Sequence, residues 1–424
     1  MRKKSIWKKA AAAVTATVLL AGNPAAVYAE ELQDATTEAN QQNPHVDTLT
    51  VAGKVLVEDG QLTGETYPGV GYDEETGVVT FENADIKGNP TGNYDQVVEI
   101  RSFNTEHSNF TLELIGDNKI SVEDGVQYSC SLLRFIDYTA TETDTVTIKG
   151  PGTLNLEAAG NVRNGIIMGR YSGPRTNFVM NGCTININVN LHPNAPDDSV
   201  AGWFMGIHGA GDMEMNSAEL NIIAAPESEG YVYGTLNDAA EEEGMDGTLK
   251  ATDSKYYFRG TQEGWNSALF SLNSAEFINS DIELDCVQYG APVFNRERDC
   301  DISIDDSTTF KWMRGDEMDT SVGKVHFHVS DNSQIYIKET SQDTWRLASS
   351  ADAAFTEENG STNVWKSFMV SPGEIAGAAG DINGDQLVNL QDVTLCLDHI
   401  LGKKELTGDQ VKAADLNQDN TINM

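Results

Sequence analysis

The sequence predicts an all-β protein, a right-handed parallel β-helix with an N-terminal cap, followed by a small α-helical module. One phrase recurs through the body: a β-rich run, a turn of Gly, Asn, Asp or Ser, and a second β-rich run. Successive copies start roughly 25 to 35 residues apart, and a fixed period of this length is typical of stacked coils. A third apolar run precedes several copies. Three strands per repeat predict a β-helix, because each coil covers its apolar face only by stacking.

The copies of the phrase are spaced evenly except at one place. They begin at Thr111, Val146, Phe178, Met213, Phe277, Ile302 and Val325. The preceding third runs include Leu132–Ile136 and Trp203–Ile207. The double interval between Met213 and Phe277 contains the acidic run Glu241–Asp246. We therefore predict an insertion at about 225–260 that projects from the stack.

The N-terminus has the three parts of a secretory signal peptide. Basic residues in 1–9 precede an apolar stretch, Ala10–Ala21, and an Ala-x-Ala-like end at Ala29. The apolar stretch is too short for a membrane span, and no other long apolar run occurs. We expect a secreted, extracellular protein, free or attached to a surface by protein contacts. The expected organisation is a signal peptide at 1–29, a flexible linker at 30–45, the β-helix body at 46–370 with its cap at 46–90, a linker at 371–379 and the α-helical module at 380–424.

Charge and cysteine content restrict the partners. The sequence has 28 Lys and Arg against 65 Asp and Glu, a formal charge of −37. Nucleic acid is excluded, because binding it requires clustered cations. An acidic polysaccharide would also be repelled unless calcium bridged it, and solubility is the simplest explanation of the charge. Cys130, Cys183, Cys286 and Cys300 are too scattered for a metal cluster, which leaves buried free thiols or one or two disulfides.

The end of the sequence contains two loops with the spacing of calcium ligands. Oxygen-bearing side chains stand at positions 1, 3, 5, 9 and 12 of the first loop: Asp381, Asn383, Asp385, Asn389 and Asp392. Positions 1, 3, 5 and 9 recur in the second loop as Asp415, Asn417, Asp419 and Asn423. Calcium takes six to eight oxygens at roughly 2.3–2.6 Å, which a tight loop of this pattern supplies. The repeated pattern predicts calcium as a cofactor.

These loops, with the helical sequence Val393–Gly402 between them, resemble a type I dockerin. The resemblance implies two calcium loop–helix units that dock an extracellular protein onto a cohesin of a scaffoldin, as in cellulosomes. It implies that Asp381, Asn383, Asp385 and Asp392 bind through side chains, Leu387 through its carbonyl, and Asn389 directly or through water, with Thr421 taking the place of Leu387 in the second loop. It also implies that Leu390 and Gln391 contact cohesin.

Two departures from the pattern affect these loops. Gln386 stands where such loops place Gly for a sharp turn, so we expect local strain and weaker affinity. The sequence ends at Met424, position 10 of the second loop, so we expect that site to be incomplete, either because the chain is a fragment or because the module is crippled. The apolar face of the first helix packs against the second unit or meets cohesin.

Polar residues that follow the third runs are candidates for chemistry on the body. Aligned coils place these side chains in one ladder: Arg134, Asp137, Arg170, His208, Asn273, Arg296 and Glu297. Pectinase-type glycosidases and lyases, which have a pectin-lyase-like β-helix, use paired carboxylates, or Arg with calcium, on such ladders. The catalytic candidates are His208, Glu297 and Arg170. Phrases expected of polygalacturonases are absent, so ordinary surface polar residues remain the alternative.

Tryptophans are candidates for stacking on sugar rings, although core packing is the usual role. We expect Trp203 to be buried or half-buried, and Trp265, between Gly264 and Asn266, to be more exposed and to bind carbohydrate. Two functions follow. The first is a glycoside hydrolase or polysaccharide lyase of plant polysaccharide breakdown, delivered to a scaffold by its dockerin. The second is a non-catalytic carbohydrate-binding or structural surface protein tethered in the same way.

Overall fold

The computed structural model describes most of the body and parts of the C-terminal module. The described residues are 46–91, 95–103, 109–123, 130–137, 143–168, 176–191, 202–236, 247–262, 264–287, 289–290, 293–294, 300–313, 325–338, 345–348, 367–372, 382–383, 390–406, 408–415 and 422. The predicted signal peptide and the linker at 30–45 lie outside these residues.

Strands dominate the described part of the chain. In chain order they are β1 (Thr48–Val51), β2 (Lys54–Glu58), β3 (Gln61–Leu62), β4 (Val70–Tyr72), β5 (Val78–Glu82), β6 (Asp85–Gly88), β7 (Gln96–Ser102), β8 (Asn109–Ile115), β9 (Asp117–Val122), β10 (Cys130–Asp137), β11 (Asp144–Lys149), β12 (Thr153–Gly160), β13 (Val162–Met168), β14 (Thr176–Asn181), β15 (Thr184–Leu191), β16 (Trp203–His208), β17 (Ala210–Asn216), β18 (Glu219–Ala224), β19 (Tyr231–Leu236), β20 (Gly247–Thr252), β21 (Lys255–Arg259), β22 (Trp265–Phe270), β23 (Leu272–Ile278), β24 (Asp281–Asp285), β25 (Tyr289–Gly290), β26 (Val293–Phe294), β27 (Cys300–Ile304), β28 (Thr309–Met313), β29 (Val325–Val329), β30 (Gln334–Lys338), β31 (Arg346–Leu347) and β32 (Ser367–Ser371). Two helices follow, α1 (Leu390–Ile400) and α2 (Asp409–Ala414). Among the described residues, neither helix has the length and apolar content needed to cross a membrane.

The strands form three long sheets, and each coil gives one strand to each sheet. The first sheet pairs β7, β10, β13, β16, β19 and β22 in parallel; the second pairs β5, β8, β11, β14, β17, β20, β23, β27 and β29; the third pairs β6, β9, β12, β15, β18, β21, β24 and β28. From β5 to β24, strands three apart in sequence are therefore neighbours in space. This is a parallel β-helix, as the sequence predicts.

The corner between the second and third sheets explains the Gly, Asn, Asp and Ser turns of the sequence. One residue at this corner has positive φ in successive coils, including Asn83 (51°), Ser217 (47°), Asp253 (50°) and Asn279 (46°), with glycine at the equivalent Gly116 (66°) and Gly182 (63°). Asn and Asp tolerate this left-handed conformation better than β-branched residues, and Gly adopts it without strain. A single residue thus turns the chain from one sheet to the next.

The predicted insertion at about 225–260 is wrong. That interval contains β19, β20 and β21, which pair in parallel with β16, β17 and β18 and make one more coil of the stack. The coil is hard to see in the sequence because the acidic run Glu241–Asp246 stands directly before β20. Residues 237–246, which hold the acidic run, lie outside the described residues.

Antiparallel strands stand at both ends of the stack. At the N-terminal end β1, β2 and β3 pair antiparallel, and β1 also pairs antiparallel with β7. At the C-terminal end β28 pairs antiparallel with β32, which pairs antiparallel with β30. β5 and β6, inside the predicted cap at 46–90, already pair in parallel with β8 and β9 and belong to the first coil.

The interior of the stack is one continuous hydrophobic core. Its aromatic side chains contact one another between coils, as Phe277 and Phe310 do with ring centroids 5.5 Å apart. Cys130, Cys183, Cys286 and Cys300 are buried in this core with no disulfide among them, which settles the sequence alternatives against disulfides. Burial raises the pKa of Cys130 to about 12 and that of Cys183 to about 11.

Candidate functional site

Asp392 closes the first predicted calcium loop. It lies in the first turn of α1 with only 1% of its surface exposed. Its Oδ1 accepts hydrogen bonds from the backbone N–H of Ile382 (2.8 Å) and of Asn383 (3.0 Å). The Asn383 amide also donates to Gln391 Oε1 at 3.2 Å. The carboxylate of Asp392, at position 12 of the loop, therefore holds the backbone at positions 2 and 3. Charge-assisted hydrogen bonds of this kind offset the cost of burying the carboxylate.

Only part of the predicted ligand set falls on described residues. Asn383, Asp392 and Asp415 are described, whereas the others lie outside the described residues: Asp381, Asp385, Leu387, Asn389, Asn417, Asp419, Thr421 and Asn423. Within the described part of the chain, no group of three or more His, Cys, Asp or Glu side chains comes close enough together to hold a metal. The assignment of calcium ligands stays a prediction.

An exposed apolar stripe runs along α1 and continues to Leu401, the residue that follows the helix. Val393, Leu397 and Leu401 are four residues apart, and 57%, 43% and 55% of their surfaces are exposed. Residues at this spacing lie on one face of a helix. Gln391, a predicted cohesin contact, is exposed, and the side chain of the other, Leu390, lies outside the described residues. The stripe is the surface of this module most suited to a partner.

On the body, two of the catalytic-ladder residues share one register row of the first sheet. Arg134 on β10 pairs with Ile167 on β13, which pairs with His208 on β16. Arg134 is paired with Glu99, Nη1 to Oε2, at 3.6 Å. Arg134 is therefore held by the carboxylate of Glu99 on β7, and Arg134 lies two coils away from His208.

His208 belongs to a buried polar chain that crosses three coils. Its Nδ1 lies 3.0 Å from Asn164 Oδ1, and Asn164 Nδ2 donates to Ser131 Oγ at 3.0 Å. Because the amide group of Asn164 donates to Ser131, its oxygen is the acceptor for His208, and Nδ1 carries the proton. All three residues are 4–5% exposed. The chain fixes the tautomer and ring plane of His208.

The other ladder residues do not join this group. Asn273 lies on β23 in the second sheet, so its predicted place in the ladder is wrong; the positive φ of Ser271 turns the chain just before β23 begins. Asp137 is buried at the end of β10. Arg170, Arg296 and Glu297 lie outside the described residues. The described part of the ladder therefore contributes one histidine and one paired arginine.

The tryptophans differ in their surroundings. Trp312 is buried in the core, and Trp345 has Lys338 Nζ 4.7 Å from its ring centroid. Trp203 is 50% exposed. Trp265 lies on β22, but its side chain, like the whole of Trp365, lies outside the described residues. Trp203 is therefore the tryptophan whose described side chain both meets solvent and lies on the face of the first sheet.

Comparison with known proteins identifies one segment of the chain. The family described as Dockerin type I domain matches residues 379–424. No curated protein and no solved structure matches the chain. The β-helix assignment of the body rests on its own strand pairing. Residues 379–424 are a Dockerin type I domain, carried on the same chain as a parallel β-helix.

Proposed function

We propose that this protein is an extracellular, cellulosome-type component that docks onto a cohesin through its calcium-dependent Dockerin domain and acts on polysaccharide through its β-helix. The Dockerin domain itself supports cohesin docking. The observation that carries the calcium dependence is Asp392, whose buried carboxylate is tied to the start of the loop. Secretion is supported by the signal-peptide pattern of residues 1–29.

Calcium completes the loop in this proposal. The two backbone N–H groups that donate to Asp392 fix the direction of its carboxylate. Ca²⁺ bound by Asp381, Asn383 and Asp385 would share that carboxylate and offset the repulsion among the acidic side chains. Without the ion, these like charges oppose closing of the loop.

The apolar stripe of α1 is the proposed cohesin contact. Val393, Leu397 and Leu401 present three aliphatic side chains on one face, next to the exposed Gln391. An amphipathic helix that leaves its apolar face in water is suited to lie in a groove of a partner. This assigns the stripe to cohesin rather than to packing within the module.

Cohesin binding by the full chain tests the docking half. We expect binding in calcium that is lost in a chelator and lost in Asp392→Ala. Asp398→Ala is the matched control, since it removes a carboxylate from the same helix that pairs with Lys403 at 3.7 Å, away from the loop. Calcium-independent binding, or equal losses in both variants, would contradict the proposal.

For the body, the proposed action on polysaccharide has two forms. A hydrolase or lyase is favoured by the fixed tautomer of His208, because an oriented imidazole is suited to proton transfer. A non-catalytic binder is favoured by the pairing of Arg134 with Glu99, which engages the described arginine of the ladder in an ion pair. Incubating the full chain with pectins, xylans and glucans separates them. Reducing ends or unsaturated products, lost in His208→Ala, support an enzyme, and retention on the polymer without products supports a binder.

A further inference from the structure

The outer face of the first sheet carries a second apolar cluster, separate from the core. Met205, Tyr233, Leu236 and Phe270 form this cluster and are 2–9% exposed. Its outward position follows from its neighbours: Phe204 and Ile207 belong to the core, and a Cβ on Gly206 would meet Ile222 Cδ1 of the third sheet at 2.7 Å. Met205 therefore points away from the core between residues that point into it.

Two exposed aromatic side chains border this cluster. Trp203 and Tyr231 pair in register on adjacent strands and are 50% and 42% exposed. Their ring centroids lie 6.0 Å apart, edge to face, and Trp203 also contacts the buried cluster through Tyr233 at 6.1 Å. Tyr233 in turn contacts Phe270 at 5.2 Å. Edge-to-face contacts of this kind orient the rings. The buried Tyr233 therefore helps to hold the exposed ring of Trp203 in place.

The strand register extends this row of aromatic residues. Val232 pairs with Asn266, so Trp265 follows Tyr231 in the row, and Trp265 pairs with Tyr289 on β25. Adjacent strands lie about 4.8 Å apart, so the four positions span about 14 Å along the stack. An elongated ligand parallel to the stack axis would pass along this row, in which Trp203 and Tyr231 are the residues with described side chains.

The strip beside these aromatic residues carries no charged side chain. Two register rows from β13 to β22 form it: Asn164, Met205, Tyr233 and Ser267 in one, and Ile167, His208, Leu236 and Phe270 in the other. Most of these side chains are buried, so the exposed rings of Trp203 and Tyr231 are the part that a ligand meets. The net charge of −37 repels an anionic polymer, so a neutral ligand suits these rings better.

We infer that Trp203 and Tyr231 form a binding platform for a neutral, linear polysaccharide on the outer face of the first sheet. The faces of pyranose rings present C–H groups that pack on exposed aromatic rings such as those of Trp203 and Tyr231. This inference rests on the proposed action on polysaccharide and deepens it, since it names the site and the neutral class of polymer.

The test measures binding of the full chain in calcium to neutral β-glucan, xyloglucan and galactomannan, with polygalacturonate as the anionic comparison, by affinity gel electrophoresis. Trp203→Ala should weaken binding to a neutral polymer about tenfold, equivalent to about 1.4 kcal/mol. Tyr231→Ala should weaken it less, and Trp203→Phe should retain most of it. Phe103→Ala, which removes another exposed aromatic side chain (47%) away from the platform, should have no effect.

Each other outcome overturns the inference in a recognisable way. Wild-type binding that Trp203→Ala and Tyr231→Ala leave unchanged places the site elsewhere and leaves the proposed function standing. Binding to polygalacturonate alone contradicts the neutral class. Binding to none of the four polymers contradicts both the inference and the polysaccharide half of the proposed function, while cohesin binding still reports on docking. The melting transition of the body in each variant shows that the stack remains folded.

Discussion

In the β-helix body one hydrophobic core runs through the described coils, whereas the described part of the Dockerin domain buries only Ile382, Leu406 and Ala413 among its apolar side chains. The body gains stability from apolar surface that each coil covers on the next. The Dockerin domain instead depends on the hydrogen bonds of one buried carboxylate, Asp392, and on the proposed ion. One chain thus combines a region built on a continuous core with a small module that buries few apolar side chains and that, in our proposal, folds conditionally on calcium.

The largest change in stability is expected from damage to the core of the body. Phe277 is fully buried and packs on Phe310 of the neighbouring coil at 5.5 Å. Phe277→Ala should lower the free energy of unfolding of the body by about 3–5 kcal/mol, because it removes a buried ring and leaves a cavity. Urea denaturation measures the change, with the exposed Phe103→Ala as control. If cohesin binding fell together with body stability, the two regions would not be independent.

Calcium removal tests the stability of the Dockerin domain. At a calcium concentration about 100 times Kd, binding stabilises the Dockerin domain by about 2.7 kcal/mol. A chelator should therefore reduce the far-ultraviolet helical signal of α1 and α2 and leave the melting transition of the body in place. Calorimetry with and without chelator checks this. A body transition that moved on chelation would contradict a calcium-independent stack.

Alkaline pH should weaken the body through its buried thiols. Burial raises the pKa of Cys183 to about 11 from an ordinary value of 9.0, and its Sγ lies 3.4 Å from Ile148 O. The folded state therefore holds its thiol proton when the unfolded chain has lost it. The contribution to stability is complete below pH 9 and is lost as pH rises from 9 towards 11, at about 1.4 kcal/mol per pH unit. Cys183→Ala should reduce that pH dependence of the urea midpoint by the share of one thiol, and Cys396→Ala, on the Dockerin helix, should leave it unchanged.

A smaller effect is expected from a ladder of asparagines on the third sheet. Asn186 donates to Asn155 Oδ1 at 2.9 Å and accepts from Asn221 at 2.8 Å. Asn186→Ala should lower the free energy of unfolding by about 1 kcal/mol, because both partners lose a half-buried hydrogen bond. Asn188→Ala, which breaks one exposed bond to Glu157, should cost less. Equal effects in the urea midpoints would show that the ladder contributes no more than a surface bond.

The periodic part of the fold could be predicted from the sequence because one residue pattern repeats at one corner. Asn83, Ser217, Asp253 and Asn279 occupy that corner with positive φ, and the sequence marks it with Gly, Asn, Asp or Ser. The coil of β19–β21 is hidden in the sequence because the acidic run Glu241–Asp246 stands directly before β20. Local composition does not reveal a strand whose partners lie one coil away.

The outer face of the first sheet could not be predicted for a different reason. Strands normally alternate their side chains between two faces, but Gly206 and Ile207 both turn inward. The alternation therefore shifts within β16, and Met205 and His208 both come to lie on the outside. In the Dockerin domain, by contrast, loop spacing alone pointed to Asp392, because a calcium loop is a local motif whose ligands lie within one short segment.

The antiparallel strands at the two ends of the body have a consequence for self-association. A column of parallel coils offers the same unsatisfied strand edge at each end, so it has no intrinsic length and invites end-to-end growth into fibres. Reversing the strand direction at β1 and at β32 ends the repeat, because an incoming coil no longer meets a parallel template. These strands oppose end-to-end growth in the sheets that contain them. They keep a repetitive column finite while its sides remain available to other molecules.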